Sequence, residues 1–368
     1  MKYLLTVLTC LMLIACGENK SKKTSVSTDD YLHVIDLNKA KVSNIRASEL
    51  FTGITPIVLE TTKESLFGAV NKAVITSDYI IILDIAIANA LFLFRKDGTF
   101  VHKFGRVGGG PGEYVNIWDF CYDGTTETIY TLDTQQRRIS LYNIHTGEFL
   151  KSINLNRING LSSNIYCQAG ELYIDLKHST SNEKHILNRI NQSTGEIEES
   201  WFDLETYNQN IDYIGKSFLF GDGSSLKFSS FLMSSIMLFE KGKITPFLTF
   251  APEYTLEKKD LKNIDFSGDY FELVNKLSRT RKVHNISDYF EHKDLIFLKF
   301  GLDPRMIVYN QKTKEAITRG LLNDFFYAED FLRAKNNETD PIFIAKDDKG
   351  FYDLRLLKKE DLNENLHQ

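Results

Sequence analysis

The chain has little of what most enzymes and nucleic-acid binders need. Its four cysteines and eight histidines in 368 residues form no Cys-x2-Cys or His-x3-His pair, which excludes the common zinc motifs. There is no Gly-x-Ser-x-Gly, so a nucleophile elbow is absent. No Asp-x-Asp-x-Asp-Gly calcium loop occurs, and no glycine-rich loop ends in Gly-Lys-Ser/Thr. Cations are not in excess: 44 Lys and Arg face 49 Asp and Glu, a net charge of −5. No basic patch dominates, which argues against a nucleic-acid partner. A hydrophobic run long enough to span a bilayer is also missing, since that takes about 20 apolar residues.

What the N-terminus does have is a shorter apolar stretch. Lys2 precedes the run Leu4–Ile14, which leads into Leu13-Ile14-Ala15-Cys16. Charge, length and the small residue before the cysteine fit a secretory signal. The tetrapeptide resembles a bacterial lipobox, which implies cleavage after residue 15 and acylation of Cys16. Residues 17–30 are Gly, Ser, Thr, Lys, Asn, Glu and Asp with one valine, Val26, too polar to bury a core. Residues 16–30 therefore read as a lipidated flexible tether, and residues 31–368 as one domain. Gly17 stands where an aspartate would signal inner-membrane retention in Gram-negative bacteria, so the outer membrane is the expected address. Only Glu18 accompanies Lys20, Lys22 and Lys23, which is not the acidic cluster of a surface-export tag. Periplasmic and surface faces both stay open.

Beyond the tether the sequence repeats. An apolar strand, a tight turn and a second strand recur at Leu91–Val101, Ile139–Leu150, Ile186–Ile197, Ile236–Ile244 and Met306–Ile317. The turn glycines Gly98, Gly147, Gly195 and Gly242 are 49, 48 and 47 residues apart. Glycine suits hairpin turns that need positive φ. Lys314 replaces it in the last copy, which predicts a looser or bulged turn. A period near 48 with about four short strands per unit is the signature of a β-propeller. From Gly242 to Lys314 is 72 residues, an excess of about 24 over one period. Within that insertion, at about 254–285, Tyr270, Leu273, Val274 and Leu277 fall at i, i+3, i+4 and i+7, an amphipathic helix. Asp269 is placed to cap it, and Arg279, Arg281 and Lys282 lie at its C-terminal end. The spacing predicts a solvated helix packed on one propeller face rather than a lid with cations facing a ligand. Five hairpins are visible. A sixth blade is expected to be shared between Ile342–Leu356 and the N-terminal segments His33–Ile35 and Pro56–Leu59, which would close the ring and remove a free edge. The expected fold is thus all-β: a six-bladed propeller of four-stranded antiparallel blades with a short helical insertion.

Residues 79–153 carry a family resemblance. Ile80-Ile81-Ile82-Leu83-Asp84, Phe104-Gly105, Gly108–Tyr114, Ile129–Asp133 and Arg138-Ile139 look like two successive NHL repeats. With the lipobox and Leu59–Gly68, the chain is similar to the six-bladed propeller lipoproteins of Bacteroidetes, a resemblance that implies architecture and an envelope address. The glycine-rich run Gly105–Gly112 leads into strand-like Val115–Ile117, so it reads as an inter-blade connection rather than a phosphate cradle. Cys121 and Cys167 are 46 residues apart, about one period, and fall at equivalent points of neighbouring inner strands. Those strands are not hydrogen-bonded to each other, so the spacing predicts buried free thiols over a disulfide. Arg106, Trp118 and Asp119 lie near a channel-mouth end and form the candidate ligand-binding group. No cofactor is expected. Two functional readings remain: an envelope-anchored binding or scaffold propeller for a glycan, peptide or protein, and a metal-dependent enzyme, lactonase-like or NHL-lyase-like, for which calcium is the candidate ion.

Overall fold

The computed structural model describes residues 27–353 except 44, 51, 54, 56, 161, 177–184, 204–217, 223–224, 241–242, 263, 265–269, 301–305, 320, 323–342 and 347–350. The signal segment, Cys16, Asp269 and Gly242 lie outside the described residues.

Five antiparallel four-stranded blades succeed one another. Blade one is Lys72–Ile75, Tyr79–Asp84, Ala90–Arg95 and Phe100–Phe104. Blade two is Asp119–Asp123, Thr128–Asp133, Arg138–Asn143 and Phe149–Asn154. Blade three is Ile165–Gln168, Glu171–Asp175, His185–Ile190 and Ile197–Asp203. Blade four is Phe218–Asp222, Ser225–Ser229, Ser235–Glu240 and Lys243–Phe250, and blade five Ile286–His292, Leu295–Phe300, Met306–Asn310 and Ala316–Arg319. The first strands of blades one, two and three lie side by side, as do those of blades four and five.

Blade one's second strand is apolar without alternation because both faces of the blade are covered. Ile80 to Leu83 are all buried. Ile81 and Leu83 join Phe120, Ile129 and Tyr142 of blade two, while Ile80 and Ile82 pack on the opposite face with Phe92 and Phe94. Similar layers join blade two to three through Leu132, Ile139 and Ile174. Blade three meets four through Tyr173, Leu187 and Phe228, and four meets five through Leu248, Phe250 and Ile296. The core is therefore a series of apolar seams between blades.

Among the described residues the blades number five, and the expected sixth, shared blade is not formed. His33–Ile35 pairs in parallel with Lys243–Phe250 at the outer edge of blade four, with His33 opposite Leu248. Lys41–Val42 does the same on blade five, with Lys41 opposite Ile317. The Glu60 N–H then bonds the Gly98 carbonyl at 2.8 Å, and the Phe100 N–H reaches the Glu60 carboxylate at 2.8 Å. The N-terminal segment is thus a strap running along the outer rims of blades four, five and one. It covers open edges without contributing a shared blade. The C-terminal partner Phe343–Lys346 and Phe351–Asp353 forms a two-stranded hairpin alongside Lys72–Ile75. The described residues open on a capped 3-10 turn, Thr28–Asp30, within the expected tether.

Three of the periodic turns share one device. The Asn143 side-chain oxygen accepts from the His145 and Thr146 N–H groups, Asn191 from Ser193 and Thr194, and Asn310 from Lys312 and Thr313. Gly147, Gly195 and Lys314 then donate back to those asparagines' carbonyls at 2.9, 2.8 and 2.9 Å. At Gly195, φ is 74° and a Cβ would lie 2.0 Å from the Asn154 carbonyl oxygen. Lys314 keeps the same turn with φ 63°, so the expected loosening does not occur: the asparagine bonds hold the lysine in the left-handed region.

The insertion folds as expected. The helix Tyr270–Arg279 buries Leu273 and Leu277 against Phe231 and Leu232 of blade four and Leu261. Arg279 and Arg281 are exposed, and Lys282 bonds the Asp260 carboxylate at 3.1 Å and the Thr255 carbonyl at 2.8 Å.

Candidate functional site

Antiparallel order puts two kinds of connection at opposite ends of the ring. Glycine turns lie at one end. The long inter-blade connections, the second-to-third strand turns and the helical insertion lie at the other, where the inner strands begin.

At that loop end an aspartate closes the second strand of blades one, two and three. Asp84, Asp133 and Asp175 are buried. Asp84 accepts from the N–H groups of Gly68 at 2.8 Å, Ala69 at 3.1 Å and Ile87 at 2.8 Å. Asp133 accepts from Val115 at 2.7 Å and Gln136 at 2.9 Å, and Asp175 from Ser163 at 3.1 Å and Asn164 at 2.7 Å. Burial alone would raise the Asp84 carboxyl, but the N–H groups of Gly68, Ile87, Ala69 and Ala88 outweigh it and hold it below its ordinary value. These carboxylates tie each inter-blade connection to its blade.

The glycine-rich connection is stitched in the same manner. The Arg106 guanidinium bonds Glu113 at 2.7 Å, and the other Glu113 oxygen accepts the Gly110 N–H at 2.8 Å. Those two contacts, the Gly110 N–H first, keep the Glu113 carboxyl below its ordinary value. Arg138 bonds the Glu113 carbonyl, and Gln136 the Gly108 carbonyl at 3.1 Å. The loop's polar groups are directed at its own structure, as an inter-blade connection requires.

Arg106, Trp118 and Asp119 are placed differently from one another. Arg106 is exposed and held by Glu113. Trp118 is half-buried, its N–H on the Leu132 carbonyl at 2.8 Å. Asp119 is buried. One of its oxygens accepts the Lys72 ammonium of blade one at 2.7 Å, and the other accepts the Ile165 N–H of blade three at 2.9 Å. Lys72 also bonds the Phe120 carbonyl at 2.6 Å. Asp119 thus joins three inner strands.

Alternate residues continue that seam. Asp123 accepts the Gly170 N–H at 2.6 Å. Between the two aspartates Cys121 is bonded to Cys167, Cα to Cα 5.8 Å. The expected free thiols are therefore a disulfide. Inner strands converge near the ring axis, which brings equivalent positions within disulfide reach without a backbone ladder between them.

Above this seam three loops form one surface. The Asn89 side chain donates to the Val115 carbonyl at 2.9 Å and accepts the Ile117 N–H at 3.2 Å. Ile87 lies over Gly68, where a Cβ would come within 2.6 Å of its Cδ1. From these loops Leu66, Ile87 and Val115 project into solvent, 64, 71 and 41 % exposed, with Val107 on the adjoining connection. These exposed aliphatic side chains thus stand on loops whose backbones are held by buried side-chain hydrogen bonds. Among the described residues no group of three His, Cys, Asp or Glu side chains is arranged to hold a metal ion. None of the helices there is long and apolar enough to cross a membrane.

Residues 32–363 match the family model described as a domain of unknown function, DUF4934. The chain belongs to this family. No curated protein matches the sequence. Among solved structures, a Bacteroides fragilis protein described as exported aligns at 18 % identity with a TM-score of 0.60, covering 76 % of this chain and 78 % of its own. It shares the fold. A Bacteroides vulgatus member of the DUF4221 family aligns at 12 % identity and TM-score 0.45, covering 71 and 83 %. BamB of Moraxella catarrhalis aligns at 8 % and 0.40, covering 74 and 65 %.

Sequence reading missed Lys72 and the Leu66–Ile87–Val115 surface in this DUF4934 chain. Lys72 stands 47 residues before Asp119, and Ile165 46 after, so the one-period spacing was the available signal. The exposed surface shows in the sequence only as departures from the repeat, aliphatic side chains where the neighbouring unit has Gly68, Glu113 or Gln136.

Proposed function

We propose that this DUF4934 protein is a binding or scaffold propeller of the cell envelope, and that the surface over blades one and two takes a peptide or protein segment. The observation that carries the reading is the group Leu66, Ile87 and Val115, presented on loops fixed by Asp84, Asp133 and Asn89. Aliphatic side chains suit an apolar peptide better than a sugar, which prefers aromatic faces. Arg106 at the edge would add a cation for a carboxylate. Trp118 would add apolar area, and Asp119 would act by positioning the inner strands. Acylation at Cys16, an outer-membrane address and an NHL-like repeat origin belong to the same proposal. They are supported by the lipobox-like run and by the residues of 79–153.

A photo-cross-linking amino acid at Ile87 in intact cells tests the surface, with Leu150 on blade two's outer strand as control. A discrete adduct at Ile87 that Val115→Asp abolishes supports the reading. Equal labelling at both positions refutes it. Panels of apolar peptides and of glycans then separate the partner classes. A melting midpoint lowered by chelator and restored by calcium would redirect the function to the metal-dependent enzyme.

A further inference from the structure

The strap that covers blades four and five is also the segment next to the expected anchor. It is fixed firmly. Ser27–Asp30 is closed by reciprocal capping bonds, the Tyr31 hydroxyl meets the Met237 sulfur at 3.8 Å, and the Ala251 N–H bonds the Ile35 carbonyl at 2.9 Å. Asn38 is held by Glu253 at 2.9 Å and Tyr254 at 2.5 Å. Because His33–Ile35 runs parallel to Lys243–Phe250, the chain enters at the glycine-turn end of blade four's outer rim.

From Cys16 to Ser27 is 27 − 16 = 11 residues. Fully extended, they span at most about 40 Å. An acyl group on Cys16 therefore keeps a bilayer within that distance of this one rim. The same strap exposes Leu32 at 63 %, Val34 at 37 % and Val42 at 63 %, apolar groups left on the outside of edge-covering strands.

We propose that the lipid surface is the partner of this strip. The propeller rests with the rim of blades four and five against the bilayer, and Leu32, Val34 and Val42 sit in the headgroup region, where apolar side chains gain by leaving water. The loop surface over blades one and two, at the end of the ring opposite the glycine turns, then faces away from the membrane. This inference rests on acylation at Cys16.

The test uses the full chain, acylated in cells, purified and inserted in phosphatidylethanolamine–phosphatidylglycerol vesicles. Single variants Leu32→Cys, Val42→Cys and Val107→Cys carry an NBD label, with thermal melts confirming the fold. The expected result is a blue-shifted, quencher-protected NBD signal at 32 and 42 and an unshifted one at 107. Acylated, vesicle-bound protein with water-like signals at 32 and 42 overturns the rim contact and leaves the anchor standing. A shift at 107 as large as at 32 also overturns it. If mass analysis finds no acyl group on Cys16, the anchor and this inference fall together.

Discussion

Breaking the bond between Cys121 and Cys167 should weaken the fold measurably, and the size follows from the chain it closes. The two cysteines are 46 residues apart. Cross-linking a loop of that length removes unfolded-chain entropy worth about 4 kcal/mol at room temperature. That is a large part of the 5–15 kcal/mol typical of a folded domain. Inside the loop lies all of blade two from its second strand onward, so residual hairpins in the unfolded chain would lower the figure. The bond also acts locally, between Asp119 and Asp123, which reach the start of blade three's first strand and the turn that follows it. Urea unfolding with and without reductant, beside the Cys121→Ser/Cys167→Ser variant, measures it. Reductant and double substitution should each lower the midpoint by roughly 1 M, and reductant should do nothing further to the variant. Non-reducing mass analysis should find the native chain lighter by two hydrogens. If the masses agree and reductant leaves the midpoint unmoved, the cysteines are buried thiols and the seam is held by its carboxylates alone.

Three further outcomes follow from the same geometry. Lys72→Met strands the Asp119 carboxylate, 4 % exposed, with only the Ile165 N–H. The lysine is itself 32 % exposed, so the loss should be about 2 kcal/mol, and an unchanged melting midpoint would remove Asp119 as the three-blade link. Gly195→Ala should cost at least about 2 kcal/mol from its left-handed φ and the Asn154 clash, whereas Lys314→Gly should gain about 0.5–1 kcal/mol. Equal effects of the two in chemical unfolding would refute the shared turn. His33 is buried and faces Lys314 and Lys227. Burial first, then the two lysines, hold its imidazole at about 4, against an ordinary 6.5, despite an opposing bond from Gln311. Between those values the unfolded chain takes a proton that the folded chain refuses. Stability should therefore fall as pH drops from 6.5 to 4, by up to about 3 kcal/mol, and level off below. His33→Gln should flatten that slope, and an unaltered slope would remove the strap as its source.

What the sequence disclosed is what short range determines. Ile80 to Asp84 read as one strand of a repeat and Leu273 and Leu277 as a helical stripe, because each signal lies within a few residues, and the turn glycines gave the period because each hairpin repeats the same local pattern. Ring closure was not legible. His33 pairs with Leu248 and Lys41 with Ile317, contacts set by which edge is open after the blades have formed. The cysteines were misread for a related reason: one period of spacing was taken to separate two inner strands that in fact converge. Lys72, Asp119 and Ile165 obey that spacing too, so the seam was written at the repeat length and needed only polar positions to be aligned along with apolar ones. Such an alignment also isolates the exposed surface. Ile87 and Gln136 both donate a backbone N–H to the aspartate three residues before them. In blade two that side chain ties down the glycine-rich connection, while in blade one it is an isoleucine open to solvent. Val115 takes the repeat position of Gly68, and Leu66 that of Glu113. The fold accepts a polar or small residue at each of these points, so the aliphatic side chains there are open to the binding role proposed for them.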